Sequence, residues 1–213
     1  MAGAGLGRRV QQIEIRMARK LAFLMLTFST ILSIGHSESL AAKPKILIAY
    51  YSRTGNTREI AYQIHSLIGG DMFEIQPVVP YPEDYEAVKK KAMEEQEAGY
   101  KPALKSKVKD FGSYDTILVG SPVWWGTLPP PVSSFLTAYD FSGKAIIPFC
   151  THLGSGQGRT ISAITELCPK AKILKGIAIR GDAVKGAEKD VSEWLRMNGL
   201  TRAEVRQDSV PQR

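Results

Sequence analysis

The chain lacks the ingredients of a disulfide scaffold, a zinc module or a membrane-spanning body. Two cysteines among 213 residues are too few for a disulfide framework or a four-cysteine metal site. Beyond the N-terminal region no apolar run reaches the ~18 residues of a spanning helix. There is no internal repeat and no low-complexity linker. The signature G-x-x-x-x-G-K-[ST] is missing, which disfavours a nucleoside triphosphatase, and so is the dinucleotide fingerprint G-x-G-x-x-G. Acidic residues are the minority, 21 against 28 Lys plus Arg, for a formal net charge of +7. What the chain does have is apolar material, at 44% hydrophobic residues with three Trp, eight Tyr and seven Phe. That supports a packed core and excludes wholesale disorder. At roughly 100–200 residues per domain, the length suits one compact domain with an appendage.

The appendage is N-terminal. Leu21 to Ile34 form an apolar stretch of 14 residues, preceded by Arg16, Arg19 and Lys20 and followed by Ser39, Leu40, Ala41 and Ala42. A basic segment, a short apolar segment and small residues at a cleavage position make up a secretory signal peptide. Residues 1–41 are therefore expected to be a signal peptide cleaved after Ala41, with export to the periplasm and no membrane span left after processing. Met17 opens a better leader than Met1, so residues 1–16 are read as an over-extended start. Removing residues 1–41 takes away five basic and two acidic residues, and the remainder carries 23 − 19 = +4. The remaining lysine run, Lys89 to Lys91, lies among Glu86, Glu94 and Glu95 at helical spacing. No nucleic-acid partner is expected.

From Lys45 onward, apolar runs alternate with amphipathic segments. Ile46 to Tyr51 reads as a strand buried on both faces. Ile60, Ala61, Ile64, Leu67 and Ile68 form one face of a helix that Gly69-Gly70 ends. Met72 to Ile75 is a second strand, alternating as an edge strand does, and residues 83–98 form a charged helix with a thin apolar side at Tyr85, Val88 and Ala92. Thr116 to Gly120 is a third strand. A proline run that cannot be helical precedes a helix marked by Val132, Phe135, Leu136 and Tyr139. Ala145 to Cys150 is a fourth strand, with Pro148 inside it. Ile161, Ile164 and Leu167 line the next helix. Ile173-Leu174 with Ile177 to Ile179 form a short, uninterrupted fifth strand, and Val184, Ala187, Val191, Trp194 and Leu195 a closing helix. Residues 201–213 read as a loose C-terminal tail.

Such alternation predicts an α/β fold of three layers, a doubly wound five-stranded parallel sheet formed by residues 42–200. Ligands of such sheets bind beyond the carboxyl ends of the strands. The segments after strands one, three and four are therefore the candidate site.

The first segment is Ser52-Arg53-Thr54-Gly55-Asn56-Thr57, opening a helix. Hydroxyls, an amide and exposed backbone N–H groups at a helix start suit an anion. They also suit an ordinary N-cap, and composition alone leaves the two readings even. Position adds information: Ser-x-Thr-Gly-x-Thr directly after the first strand of a five-stranded α/β domain resembles the phosphate loop of the flavodoxin family. The resemblance spans about Lys45 to Leu200 and implies the cofactor flavin mononucleotide (FMN) and the strand order 2-1-3-4-5. The single fifth strand resembles the short-chain members.

The segment after strand three, Pro122-Val123-Trp124-Trp125-Gly126, resembles the flavin-flanking loop of that family. One tryptophan is expected to stack on the ring, with its neighbour in the core, and Gly126 is expected to let a peptide beside the flavin N5 turn over. The third segment, Thr151-His152-Leu153-Gly154-Ser155-Gly156-Gln157-Gly158, packs three glycines into five residues from Gly154. Thr151, His152, Gly154, Ser155, Gly156 and Gly158 are expected against the polar edge of the flavin. Electron-carrier flavodoxins usually carry a second aromatic here, and only His152 is available. His152 itself is read as structural. No metal ligand and no catalytic side chain is assigned.

The resemblance implies electron transfer with a redox partner protein or a small-molecule acceptor. The alternative is a reductase of FMN or quinones using NADH or NADPH. Cys150 at a strand end and Cys168 at the end of the following antiparallel helix belong at opposite sheet edges, so two unpaired thiols are expected.

Overall fold

The structure, a computed structural model, describes residues 44–200. The expected leader (1–41) and tail (201–213) lie outside the described residues.

Strand β1 (Ile46–Tyr50) leads into helix α1 (Asn56–Ile68), followed by β2 (Asp71–Glu74) and α2 (Tyr85–Glu97). Next come β3 (Thr116–Pro122), α3 (Pro130–Thr137), β4 (Ala145–His152) and α4 (Thr160–Leu167). Two short strands, β5 (Lys172–Ile173) and β6 (Ile177–Arg180), and helix α5 (Glu188–Met197) close the described chain. Every strand pairing is parallel, in the order β2-β1-β3-β4-β5, with β6 also paired to β4. This is the doubly wound arrangement expected from the sequence.

Successive strand residues point to opposite faces, and both faces are covered. Leu47, Ala49, Ile117 and Val119 pack with Val132 and Phe135 of α3 and Ile164 of α4. Ile48, Tyr50, Leu118 and Ile147 pack on the other side with Ile60 and Ile64 of α1 and Val191 and Trp194 of α5. Helix α2 is different. Its buried residues Val88 and Ala92 belong to neither cluster, so this helix is not a core helix of the usual kind.

Three details depart from expectation. The proline run does enter a helix: Pro130 and Pro131 open α3. First-turn N–H groups have no intrahelical acceptor, so nothing is lost there. The fifth strand is not continuous. Ile146 pairs with Ile173 and Phe149 with Ile177, and the break between them falls opposite Pro148, which has no N–H to give a ladder. Val184 and Ala187 lie before the closing helix; Val184 starts a separate 3₁₀ turn through Gly186.

Candidate functional site

The three segments named from the sequence converge at the carboxyl edge around a cavity of about 650 Å³, a volume ordinary for a small-molecule site. Arg53, Thr54, Asn56 and Thr57 line it from the start of α1. Pro122, Val123, Trp124 and Trp125 line it from the end of β3, and Thr151, His152 and Leu153 from the end of β4.

Gly55, at φ 94°, is the N-cap of α1 and gives no side-chain cap. Instead Ser52 Oγ accepts the N–H of Arg58 at 3.2 Å. The N–H groups of Asn56 and Thr57, at the positive end of the helix, find no acceptor among the described residues. Thr57 is 1% exposed, and its hydroxyl is hydrogen-bonded to that of Thr151 at 2.8 Å, joining the first and third segments. Ser52 and Gly55 therefore shape the helix start without lining the cavity.

Trp124 to Thr127 form a two-residue turn closed by reciprocal backbone bonds of 2.9 Å. Both central residues have positive φ, Trp125 at 50° and Gly126 at 75°, the signature of a type I′ turn. A bulky aromatic there is strained by about 1–2 kcal/mol. The turn separates the tryptophans as expected. Trp124 packs edge-on against Tyr51 and Tyr81, with ring centroids 5.5 and 5.0 Å away. Trp125 is 47% exposed, and its indole N–H donates to the Lys89 carbonyl at 3.0 Å.

The glycine-rich segment is held from two sides. Arg159 N–H donates to the Gly126 carbonyl at 2.7 Å. A Cβ on Gly158 would stand 2.3 Å from that oxygen, so only glycine fits. On the other side, His152 Nδ1 accepts the N–H groups of Gly154 (3.0 Å) and Gly156 (3.2 Å), which puts the ring proton on Nε2. The imidazole thereby holds the shape of the glycine-rich segment. The two N–H groups expected to face a ligand are committed to it. Gly126, Gly154, Ser155, Gly156 and Gly158 frame the site behind its lining.

Sequence reasoning missed α2. Tyr85, Val88, Lys89 and Ala92 form one wall of the cavity. The signal was present in the thin apolar side of a charged helix, formed by Tyr85, Val88 and Ala92. Leu153, 80% exposed, was also passed over. The phosphate-loop candidate Arg53 donates through its guanidinium to the carbonyls of Pro82 and Glu83, just before α2. Beneath the site, burial raises the pKa of Tyr51, and burial together with the bond to Glu95 raises that of Tyr81.

The donor set fits FMN on the structure's own terms. Unpaired first-turn N–H groups beside Thr54, Asn56 and Arg53 suit a phosphate dianion. An exposed indole face suits a flat ring, and the close backbone approach at Gly158 packs the glycine-rich segment against the turn that carries Trp125.

The flavodoxin family model matches residues 45–198. A protein from Bacteroides uniformis assigned as a flavoprotein is 30% identical, with 72% of this chain and 98% of that one covered at a TM-score of 0.64. A second, from Bacteroides eggerthii, is 29% identical, covering 74% of this chain and 99% of that one at a TM-score of 0.66. A flavoprotein from Lactobacillus acidophilus solved in complex with FMN is 24% identical over 71% of this chain and 98% of that one, with a TM-score of 0.56, and shares the fold. No curated protein matches the chain.

Proposed function

The chain belongs to the flavodoxin family, whose cofactor is FMN, and on that premise we propose that it holds FMN in the carboxyl-edge cavity and serves as an electron carrier. The observation that supports this most directly is one cavity that brings together free first-turn N–H groups of α1 and the half-exposed indole of Trp125. Those two features match the two ends of one ligand, an anion and a flat ring.

In this reading Thr54, Asn56, Thr57 and the N–H groups of Asn56 and Thr57 bind the phosphate, and Arg53 adds positive charge. Ser52 orients the helix start. Trp125 stacks on the ring, while Val88, Ala92 and Leu153 exclude water from its flanks. Thr151 lies at its polar edge, in front of the glycine-rich segment whose shape His152 maintains. FMN, when bound, supplies the one- or two-electron redox chemistry, and the protein supplies position and electrostatics. The partner is a redox protein or a small electron acceptor. The +4 charge of residues 42–213 favours a partner surface that is acidic.

The test is to purify the protein, titrate it with FMN and record visible absorption, then add NADH or NADPH anaerobically. Stoichiometric FMN binding without bleaching by either nucleotide is the expected result. A colourless protein that takes up no FMN overturns the cofactor assignment, and rapid bleaching by nucleotide alone overturns the carrier role.

We also propose that the Leu21–Ile34 segment directs export to the periplasm, supported by its basic flank and the small residues around Ala41. Among the described residues no helix is long and apolar enough to cross a membrane. A periplasmic product beginning at Ala42 is expected; a product retaining Leu21 overturns cleavage.

A further inference from the structure

We infer that Gln96 of helix α2 is a positioning residue for the flavin site, setting the shape of the turn that carries Trp125. The inference rests on FMN occupying the cavity as proposed above.

The primary amide of Gln96 has two N–H hydrogens, and the structure provides an acceptor for each. Nε2 lies 3.1 Å from the Trp124 carbonyl and 3.0 Å from the Leu128 carbonyl. These two oxygens bracket the Trp125-Gly126 turn on both sides. The bond to Trp124 is added to the one that carbonyl already accepts from Thr127 at 2.9 Å. Gln96 thus grips both ends of a turn whose central tryptophan sits at an unfavourable φ of 50°. Strained backbone persists only where its surroundings over-determine it, and α2 supplies much of that determination.

The rest of the helix acts on the same turn. One helical stretch before Gln96, the Lys89 carbonyl accepts the Trp125 indole N–H at 3.0 Å. That fixes the ring plane as Gln96 fixes the backbone beneath it. Next to Gln96, Glu95 accepts the hydroxyl of Tyr81, whose ring meets Trp124 edge-on at 5.0 Å. Helix α2 buries Val88 and Ala92 in neither core cluster. Beside its contact with α3, it lines the cavity and bonds the tryptophan turn.

The donors are what matter at residue 96, which makes the inference testable by isosteric replacement. Gln96→Glu keeps the shape but offers oxygens to two carbonyls. Gln96→Lys keeps donors and loses the planar amide. FMN dissociation constants are measured by fluorescence quenching, with the near-UV circular dichroism and unfolding midpoint of the apo-protein recorded alongside. For Gln96→Glu the dissociation constant is expected to rise about tenfold, as for loss of hydrogen bonds worth ~1.4 kcal/mol, with an altered tryptophan signal in the apo-protein. Gln96→Lys is expected to stay within about threefold of the parent, the donor being retained. An unchanged dissociation constant in Gln96→Glu, or equal losses in both variants tracking their unfolding midpoints, overturns the positioning role. A parent protein that binds no FMN fails the cofactor assignment instead. In that case the tryptophan signal still decides whether Gln96 sets the turn: it changes in Gln96→Glu if so, and stays the same if not.

Discussion

The backbone N–H of Arg159 is hydrogen-bonded to the carbonyl of Gly126 at 2.7 Å, so the segments after β3 and β4 are joined by main chain. Together with the Val123 N–H bond to the Thr151 carbonyl at 2.9 Å, it turns two surface loops into a single shelf. It also bears on redox behaviour, because the Gly126 carbonyl is already engaged and any rotation of its peptide must first break that bond. A backbone bond of this kind contributes about 1 kcal/mol net.

Gly158 makes the join sterically possible. Its φ is 52°, and an added Cβ would lie 2.3 Å from the Gly126 oxygen and 2.9 Å from its carbonyl carbon. Both are backbone atoms, so relief requires one loop to move. Gly158→Ala is expected to lower stability by about 2–3 kcal/mol and to weaken FMN binding at least tenfold. Chemical denaturation and FMN titration of the same preparation check both. Wild-type affinity in the variant would show that the shelf is not part of the site.

Gly126→Ala asks a different question. No atom lies within 4 Å of a Cβ built there, so the space is open and the cost comes from φ 75° alone. About 1 kcal/mol of destabilisation is expected, with the turn biased away from its type I′ form. Both flavin midpoint potentials should shift, measured by anaerobic redox titration against reference dyes. Two unshifted potentials would remove Gly126 from any role in tuning the flavin.

The order of elements and the sheet topology were legible in the sequence because apolar runs buried on both faces, such as Ile46 to Tyr50, have few other readings. The site's position followed from topology, and ten of the residues named for it line the cavity. What stayed hidden was geometry between segments. Nothing in one sequence announces that His152 Nδ1 gathers the N–H groups of Gly154 and Gly156, since the partners are set by a loop's path. The charge of helix α2 masks its place in the site. The Lys90–Glu94 pair is exposed, but Tyr85, Val88 and Ala92 face the cavity. The interruption at Leu174–Gly176 was hidden because pairing opposite Pro148 depends on register.

The two thiols provide a pH test. Cys150 and Cys168 are free and buried, and burial pushes their pKa values up to about 12 and about 11, from 9.0. In the unfolded chain they ionise near 9, while in the folded protein they keep their protons. A raised folded pKa means a contribution fully present below about pH 9 and lost as pH rises towards 11 and 12. Urea midpoints measured from pH 8 to 11 should therefore fall, and fall less in Cys150→Ala once its constant packing loss is subtracted. Thiol reagent at pH 8 should find no reactive group in the native protein and two after unfolding without reductant. An identical pH slope in parent and variant would refute the assignment.

The hydroxyl pair of Thr57 and Thr151 separates support from binding. Thr57→Val is nearly isosteric and leaves the Thr151 hydroxyl, in a residue 4% exposed, without its partner at 2.8 Å. A loss of about 2 kcal/mol in stability is expected. Thr151→Val leaves the mirror-image defect and should cost a similar amount. The two differ at the phosphate, where only the side chain of Thr57 stands at the open end of α1. Thr57→Val should raise the FMN dissociation constant roughly tenfold, by loss of one hydrogen bond to a charged group. Thr151→Val should change it much less, and Thr57→Ser should bind as the parent does. If Thr57→Val and Thr151→Val weaken FMN equally, the pair acts only as a strut between the two loops, and the phosphate is held by Thr54, Asn56 and the helix N–H groups alone.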